Sequence, residues 1–418
     1  MTTVAKPGGK CKGNPGGVFD RETVDAKVTL IQALIPLALQ AVHEALDAEV
    51  TALAGVRYER AGRLPGHVRW TQQPGSVYLG EQKLPVRVTR VRNQLTNKEV
   101  PLVTYQKLQE PRGLDEGLFR RVLVGLSCGR YRECAEAVPE AFGLSRAAVS
   151  RRFVRASSRR LKALLERDLT THDFVAVFLD GKSLAGEALV IAVGITLQGK
   201  KVLLGIVQTV TENSRVLVEF LRTLVARGLR LDPGLLWIID GGKGLRAAIR
   251  AVAGETAVVQ RCQWHKRENV VSYLPQHRQP AVRAQLQAAY RQPSYAVAHA
   301  QLHQLGQALA RENPSAAASL QEGLEETLTL HRLGLVEPLA RSFATTNVLE
   351  SINAQVERVI RRVTRWQAGD QKLRWVASAL LDLEPRLRRV KGYRALPQLR
   401  AAVQRTMGTA PTSTAQAA

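Results

Sequence analysis

The sequence predicts an α/β fold: a mixed sheet, interrupted by an all-helical insertion and preceded by a region of helices and a small sheet. Residues 174–261 alternate short apolar runs with helical patterns, whereas residues 266–335 carry helical patterns alone. Before residue 168 the pattern is helical except for one β-branched stretch containing Gly and Pro. At 418 residues the chain exceeds one ordinary domain. Its boundaries read as 1–23, 24–110, 111–168, 169–265, 266–335, 336–400 and 401–418.

Residues 1–23 begin with the Gly-, Pro- and Lys-rich MTTVAKPGGKCKGNPGG, and residues 401–418 end in MGTAPTSTAQAA; both ends are expected to be disordered. Val28, Ile31, Leu34, Ile35, Leu39, Val42 and Leu46 recur at helical spacing and predict one amphipathic helix over about 24–54. In GSVYLGEQKLPVRVTRVRNQL, the positions of Val86, Val88 and Val91 predict a small sheet whose outer face carries Arg87, Arg90 and Arg92.

The stretch YRECAEAVPEAFGLSRAAVSRRFVRASSRRL reads as a helix-turn-helix. Gly143 breaks the first helix, Ser145 can cap the second, and Ala148, Val149 and Phe153 supply an inward face. Arg146, Ser150, Arg151 and Arg155 are then presented to a DNA groove or backbone. An ordinary helical hairpin with a solvated basic face is the plainer alternative.

FVAVFLD, ALVIAVGITL and KVLLGIVQT read as consecutive strands, the last two joined through Gln198-Gly199. RVLVEFLRTLVARGL is a helix, LLWIID a strand, GLRAAIRAVA a helix and TAVVQR a strand. The order β-β-β-α-β-α-β, antiparallel at first and parallel afterwards, is the ribonuclease H-like topology. After the helical insertion, SFATTNVLESINAQVERVI predicts a helix starting near Thr346 or Asn347.

In this topology the first strand ends at Asp180 and the fourth at Asp240, on neighbouring central strands. Two such carboxylates repel each other unless a cation lies between them, and Mg²⁺ favours oxygen ligands in this arrangement. Glu350, on the later helix, suits as a third acid. Taken singly, Asp180-Gly181 and Asp240-Gly241 are turn dipeptides and Glu350 is a solvated helix acid. Their joint placement favours a two-metal phosphodiester site.

FLDGKSL, GLLWIIDGGKGLRAAI, VVQRCQWHKRENV and SFATTNVLESINAQ together resemble the Mutator-type transposases of bacterial insertion sequences, over about residues 50–380. The resemblance implies a ribonuclease H-like core and a catalytic Asp-Asp-Glu triad at Asp180, Asp240 and Glu350, holding Mg²⁺ for which Mn²⁺ can substitute. It places the family's Cys-x-x-His pair on Cys262 and His265. The absence of Trp from TENSRVLVEFLRTL, and an unfamiliar segment after Glu350, point to a divergent subgroup.

Lys182 and Asn347 stand beside the acids as accessory groups. Arg261, Lys266 and Arg267 surround the Cys-x-x-His and are expected to contact DNA, as are Arg358, Arg361, Arg362 and Arg365, which form a basic ridge on one helix suited to phosphate contact. Cys262 and His265 have the spacing of half a zinc site, but no second pair lies near in sequence, so zinc is not expected. His299 and His303 share a helix face without a clear carboxylate. DGKS lacks the earlier Gly of a phosphate loop, having Ala176 there, and GGKGL is no dinucleotide fingerprint.

Sixty Lys and Arg against 36 Asp and Glu give a formal charge of +24, which makes a polyanion the expected partner, nucleic acid ahead of a membrane surface. Four scattered cysteines exclude a disulfide scaffold and favour a reducing cytosol. The apolar stretch VTLIQALIPLALQAVHEAL is interrupted by Gln32, Pro36, Gln40 and His43, so no membrane span is expected. Together with the resemblance, this makes the expected protein a cytoplasmic, nucleoid-associated bacterial transposase. It would bind terminal inverted repeats and target DNA, acting as a dimer or higher oligomer because two ends are joined. A non-catalytic DNA-binding regulator, or a metal-dependent nuclease that cuts without joining, are the alternatives. The first predicts loss of an acid, and all three acids are present.

Overall fold

The computed structural model describes residues 21–58, 64–79, 82–109, 119–123, 125, 145–184, 187–209, 213–361, 363, 365–366 and 369–408. The chain divides into two compact units, residues 1–118 with 127–152 and residues 119–126 with 153–418. The expected first helix of the helix-turn-helix lies outside the described residues, as do residues 1–20 and 409–418. No described helix is long and apolar enough to cross a membrane.

The first unit opens with α1 (Arg21–Ala54). Its Val42, Leu46, Val50 and Ala54, at four-residue steps, are buried with Val77, Leu84, Val86, Val88 and Val91 of an antiparallel sheet. That sheet is β1 (His67–Leu79), β2 (Gln82–Asn93) and β3 (Lys98–Val100), in that order. Where the inward spacing passes from Val88 to Val91, Trp70 and Thr71 of β1 together oppose Arg90, a bulge in β1. Arg87 is exposed, Arg90 pairs with Glu99, and the Arg92 guanidinium lies 4.6 Å from the Trp70 ring centre. The Glu49 carboxylate accepts the N–H groups of Val103 and Thr104, at 2.6 and 2.8 Å, and so satisfies first-turn donors of α2 (Val103–Gln109).

Helix α3 (Arg146–Leu165) begins as the sequence predicts, with Ser145 Oγ accepting the Ala148 N–H at 3.2 Å. Val149 and Phe153 are buried, while Arg146, Ser150, Arg151 and Arg155 face solvent.

The second unit is built on a five-stranded sheet of order β6-β5-β4-β7-β8. Its strands are β4 (Phe174–Leu184), β5 (Glu187–Thr196), β6 (Lys201–Thr209), β7 (Leu236–Ile239) and β8 (Val258–Arg261). β4, β5 and β6 are antiparallel neighbours; β4–β7 and β7–β8 are parallel. The crossovers are α4 (Ser214–Ala226) and α5 (Lys243–Ala253). Gly199 turns the β5–β6 hairpin with φ +78°.

Both faces of this sheet are covered, which is why its strands read as unbroken apolar runs. Phe178, Ile191, Val193 and Ile238 enter one core with α3, α12 (Val336–Phe343), α13 (Asn347–Ile360), α14 (Gln371–Leu383) and α15 (Leu396–Gly408). Val177, Leu179, Trp237 and Ile239 enter the other, with α4 and α5. Each such side chain taken out of water contributes about 1.5–3 kcal/mol.

The segment expected to be helical comprises α6 (Gln263–Val271), α7 (Gln279–Tyr290), α8 (Tyr295–Glu312), α9 (Pro314–Gln321), α10 (Leu324–Thr327) and α11 (Thr329–Arg332). Val270, Leu286, Leu302, Leu320 and Leu328 give it a core of its own.

Three boundaries differ from expectation. β4 continues through Asp180 to Leu184, because β5 keeps pairing with it after β7 has ended at Ile239. α13 stops at Ile360, where the β-branched Val363 and Thr364 follow, so Arg361 and Arg365 lie past its end and do not extend a ridge along it. α15 persists to Gly408, inside the segment expected to be disordered, because Leu399, Ala402 and Val403 are buried in the first of these sheet cores.

Candidate active site

Leu179 and Ile239 are register partners in the parallel β4–β7 pair, so Asp180 and Asp240 follow at equivalent positions on strands about 4.8 Å apart. Asp180 is buried, and Asp240 is half-buried just beyond β7. Burial pushes the Asp180 carboxyl up to about 7, and the charges of Asp240 and Glu350 add to that rise; His265 and Lys182 act against it. The chain leaves Asp240 through Gly241, at φ +110°, and a Cβ there would run into the Arg261 guanidinium. The Gly242 N–H then donates to Asp240 Oδ1 at 2.9 Å and orients the carboxylate.

Thr346 joins the other site residues. Its N–H donates to Cys262 Sγ at 3.4 Å, and its hydroxyl lies 3.3 Å from His265 Nδ1, 3.6 Å from Cys262 Sγ and 3.4 Å from Glu350 Oε1. One hydroxyl carries one proton, which Cys262 Sγ and Glu350 Oε1 share, while a protonated His265 donates its Nδ1–H to the hydroxyl oxygen. The neighbouring Cys262 sulfur, followed by Asp180 and Asp240, raises His265 to about 9 against its own partial burial. Burial alone would push the Cys262 thiol up; His265 more than reverses this and holds it below its ordinary value. His265 therefore carries positive charge at neutral pH beside the paired aspartates. Sequence reasoning did not single out Thr346, although it stands four residues, one helical turn, before Glu350.

Asp180 and Asp240 fit a cation, since burial and mutual repulsion both disfavour the bare anions. Glu350 is turned toward Thr346, and among the described residues no three His, Cys, Asp or Glu side chains converge closely enough to hold a metal ion. The fit is therefore carried by the aspartate pair. His299, expected without a carboxylate, has Glu325 at 3.2 Å from its Nε2.

The basic residues divide. Lys182 Nζ is 2.8 Å from Glu357 Oε1 on α13, two helical turns beyond Glu350. Arg261 and Lys266, expected at a DNA-facing surface, are buried instead. Arg261 Nη1 donates to the Glu322 carbonyl at 2.9 Å, and Lys266 donates to the carbonyls of Ser319 and Glu322. They tie the end of β8 and the start of α6 to the helical insertion. Burial, with repulsion from Arg261, depresses the Lys266 ammonium to about 8. Arg267 is half-buried against Glu268 at 3.0 Å. Asn347, Arg358, Arg361 and Arg365 are exposed, and Arg362 lies outside the described residues.

The family described as "Transposase, Mutator family" matches residues 18–386. The chain is 29% identical over 362 residues to the transposase for insertion sequence element IS406 of Burkholderia multivorans, covering 82% of this chain and 88% of that one. It is 29% identical over 342 residues to the transposase for ISRM5 of Rhizobium meliloti, covering 78% and 81% of the two chains. A shorter match, 33% over 177 residues, covers 42% of this chain and 57% of the transposase for IST2 of Acidithiobacillus ferrooxidans. The chain belongs to the Mutator family of transposases.

Proposed function

We propose that the protein is the transposase of an insertion sequence, a DDE enzyme on a ribonuclease H-like core, with Asp180, Asp240 and Glu350 as its catalytic acids. The observation that carries the proposal is that Asp180 and Asp240 each follow by one residue a register pair of the parallel central strands β4 and β7, with Glu350 close enough to raise the Asp180 pKa. The strand order β6-β5-β4-β7-β8 and the helical segment between β8 and α13 support the core assignment.

Mg²⁺, or Mn²⁺ in its place, supplies charge neutralisation and activation of the attacking oxygen when bound at the aspartate pair. The protein's own groups position and balance charge. Gly242 orients the Asp240 carboxylate; protonated His265 sets positive charge beside an incoming phosphate; Thr346 links His265 to Glu350. Hydrolysis of a phosphodiester at the element's end leaves a 3′ hydroxyl. That hydroxyl then attacks a target phosphodiester, forming one P–O bond as another breaks, with no covalent protein–DNA intermediate. In this reading the exposed Arg146, Arg151 and Arg155 of α3 contact DNA phosphates. Joining two ends requires at least two protomers on DNA, in the bacterial cytoplasm.

The test is strand transfer with pre-cut and uncut terminal DNA in Mg²⁺, comparing the wild type with Asp240→Ala. Joining that persists in the variant overturns the acid assignment, and cutting without joining by the wild type makes the protein a nuclease.

A further inference from the structure

A groove of about 600 Å³ opens beside the carboxylate site, between the start of α6, the end of α7 and the α12–α13 corner. Neighbouring residues divide between groove and site. Trp264 and Asn347 line the groove, whereas His265 and Thr346, the next residue in one case and the preceding one in the other, meet beside Glu350. The two walls are joined by the Gln263 N–H, which donates to the Ala344 carbonyl at 2.9 Å.

The lining contains no carboxylate, although the chain has 36 acidic residues. It carries three guanidiniums, from Arg267, Arg291 and Arg341, and amides from Gln263, Gln287 and Asn347. Trp264 is 42% exposed, which is unusual for an indole in the first turn of a helix whose other face is buried. The His265 ring stands edge-on to it, with centroids 4.8 Å apart and planes at 80°, and so holds the indole in place without covering it by a parallel stack. The ligand must therefore be anionic, have a flat face to lie on the indole, and carry donors and acceptors for amides. A nucleotide meets all three requirements.

We infer that this groove receives a single nucleobase unstacked from the DNA next to the phosphodiester that reacts beside Asp180 and Asp240, with Trp264 as its stacking platform. The inference rests on the strand-transfer reading above. A base inside a duplex has both faces covered by its neighbours, so the indole can stack only on one that has left the helix. Arg291 and Arg341 hold the backbone on either side, Arg267 being paired with Glu268, and the Gln287 and Asn347 amides meet the exposed base edge. Capturing the base fixes the adjacent phosphodiester, which makes Trp264 a positioning residue.

The experiment uses the full chain and duplexes carrying the element's terminal sequence, with 5-iodouracil at each step flanking the cut on both strands. In Asp240→Asn, which is expected to bind DNA without cutting it, irradiation is expected to cross-link Trp264 to one flanking position alone. Trp264→Ala is expected to cut the paired duplex about ten- to a hundredfold more slowly, as for loss of one base–aromatic stack. Trp264→Phe should restore most of the rate, and a single unpaired base at the cross-linked position should speed Trp264→Ala.

Because Trp264 is partly exposed, neither substitution removes a core side chain. Cutting of paired ends by Trp264→Ala at the wild-type rate overturns the inference, as does cross-linking spread over many positions without Trp264. A change in oligomeric state with no cross-link would make the groove a protein interface instead. A wild type that neither binds nor cuts terminal DNA is a separate outcome, and it overturns the strand-transfer reading itself.

Discussion

Asp180 on β4 and Asp240 just past the end of β7 each lie one residue beyond the paired Leu179 and Ile239 of two hydrogen-bonded parallel strands. Replacing either by Asn keeps the shape and removes the charge. Strand cleavage is expected to fall on the order of ten-thousandfold, as for loss of a residue that acts as part of a catalytic unit. Thermal unfolding supplies an independent check: Mg²⁺ or Mn²⁺ should raise the melting temperature of the wild type and leave that of either variant nearly unmoved. An equal shift in all three proteins would show that the ion binds elsewhere.

Gly241 combines φ +110° with close packing against Arg261. Gly241→Ala is expected to destabilise the second unit by about 1–3 kcal/mol through backbone strain, and to displace Arg261 from Glu322. Urea unfolding measures the first effect. Protease cleavage within the helical insertion reports the second, and should be faster in the variant.

Lys266 is fully buried with its ammonium depressed to about 8, against 10.5 in an unfolded chain. Between those values the unfolded chain binds the proton and the folded one does not, so stability rises with pH across that interval. Lys266→Met should lose this rise while also losing the bonds to Ser319 and Glu322. Unfolding free energies of both proteins on either side of pH 8 test it; parallel curves would refute the assignment.

Arg146, Arg151 and Arg155 are each exposed on α3. Converting all three to Ala is expected to weaken DNA binding across sequences and to reduce the slope of log affinity against log salt by about 0.9 per lost phosphate contact. Binding titrations over a range of salt concentrations measure this, and an unchanged slope would make these side chains merely solvated.

Much of the second unit is legible in the chain because local chemistry and burial agree there. Apolar runs such as VAVFL and LWII read as strands since both of their faces are covered. Ser145, and Asn347 after Thr346, mark helix starts that the fold then uses. The bulge at Trp70–Thr71 is less legible, because it depends on which β1 residues meet Arg90 across the sheet.

The carboxylates themselves follow from the order of strands and helices, which the sequence determines through periodicity and turn residues. Partner choice among charged groups does not follow from it. Arg261, Lys266 and Lys182 look alike in the chain as basic residues near acids. The tertiary structure buries the first two beneath Glu322 and pairs the third with Glu357. It likewise decides that Thr346 meets Cys262, His265 and Glu350, and that Trp264 faces a groove without acids. Local patterns encode which faces turn inward, whereas contacts between residues as far apart as Lys182 and Glu357 depend on how those faces come together.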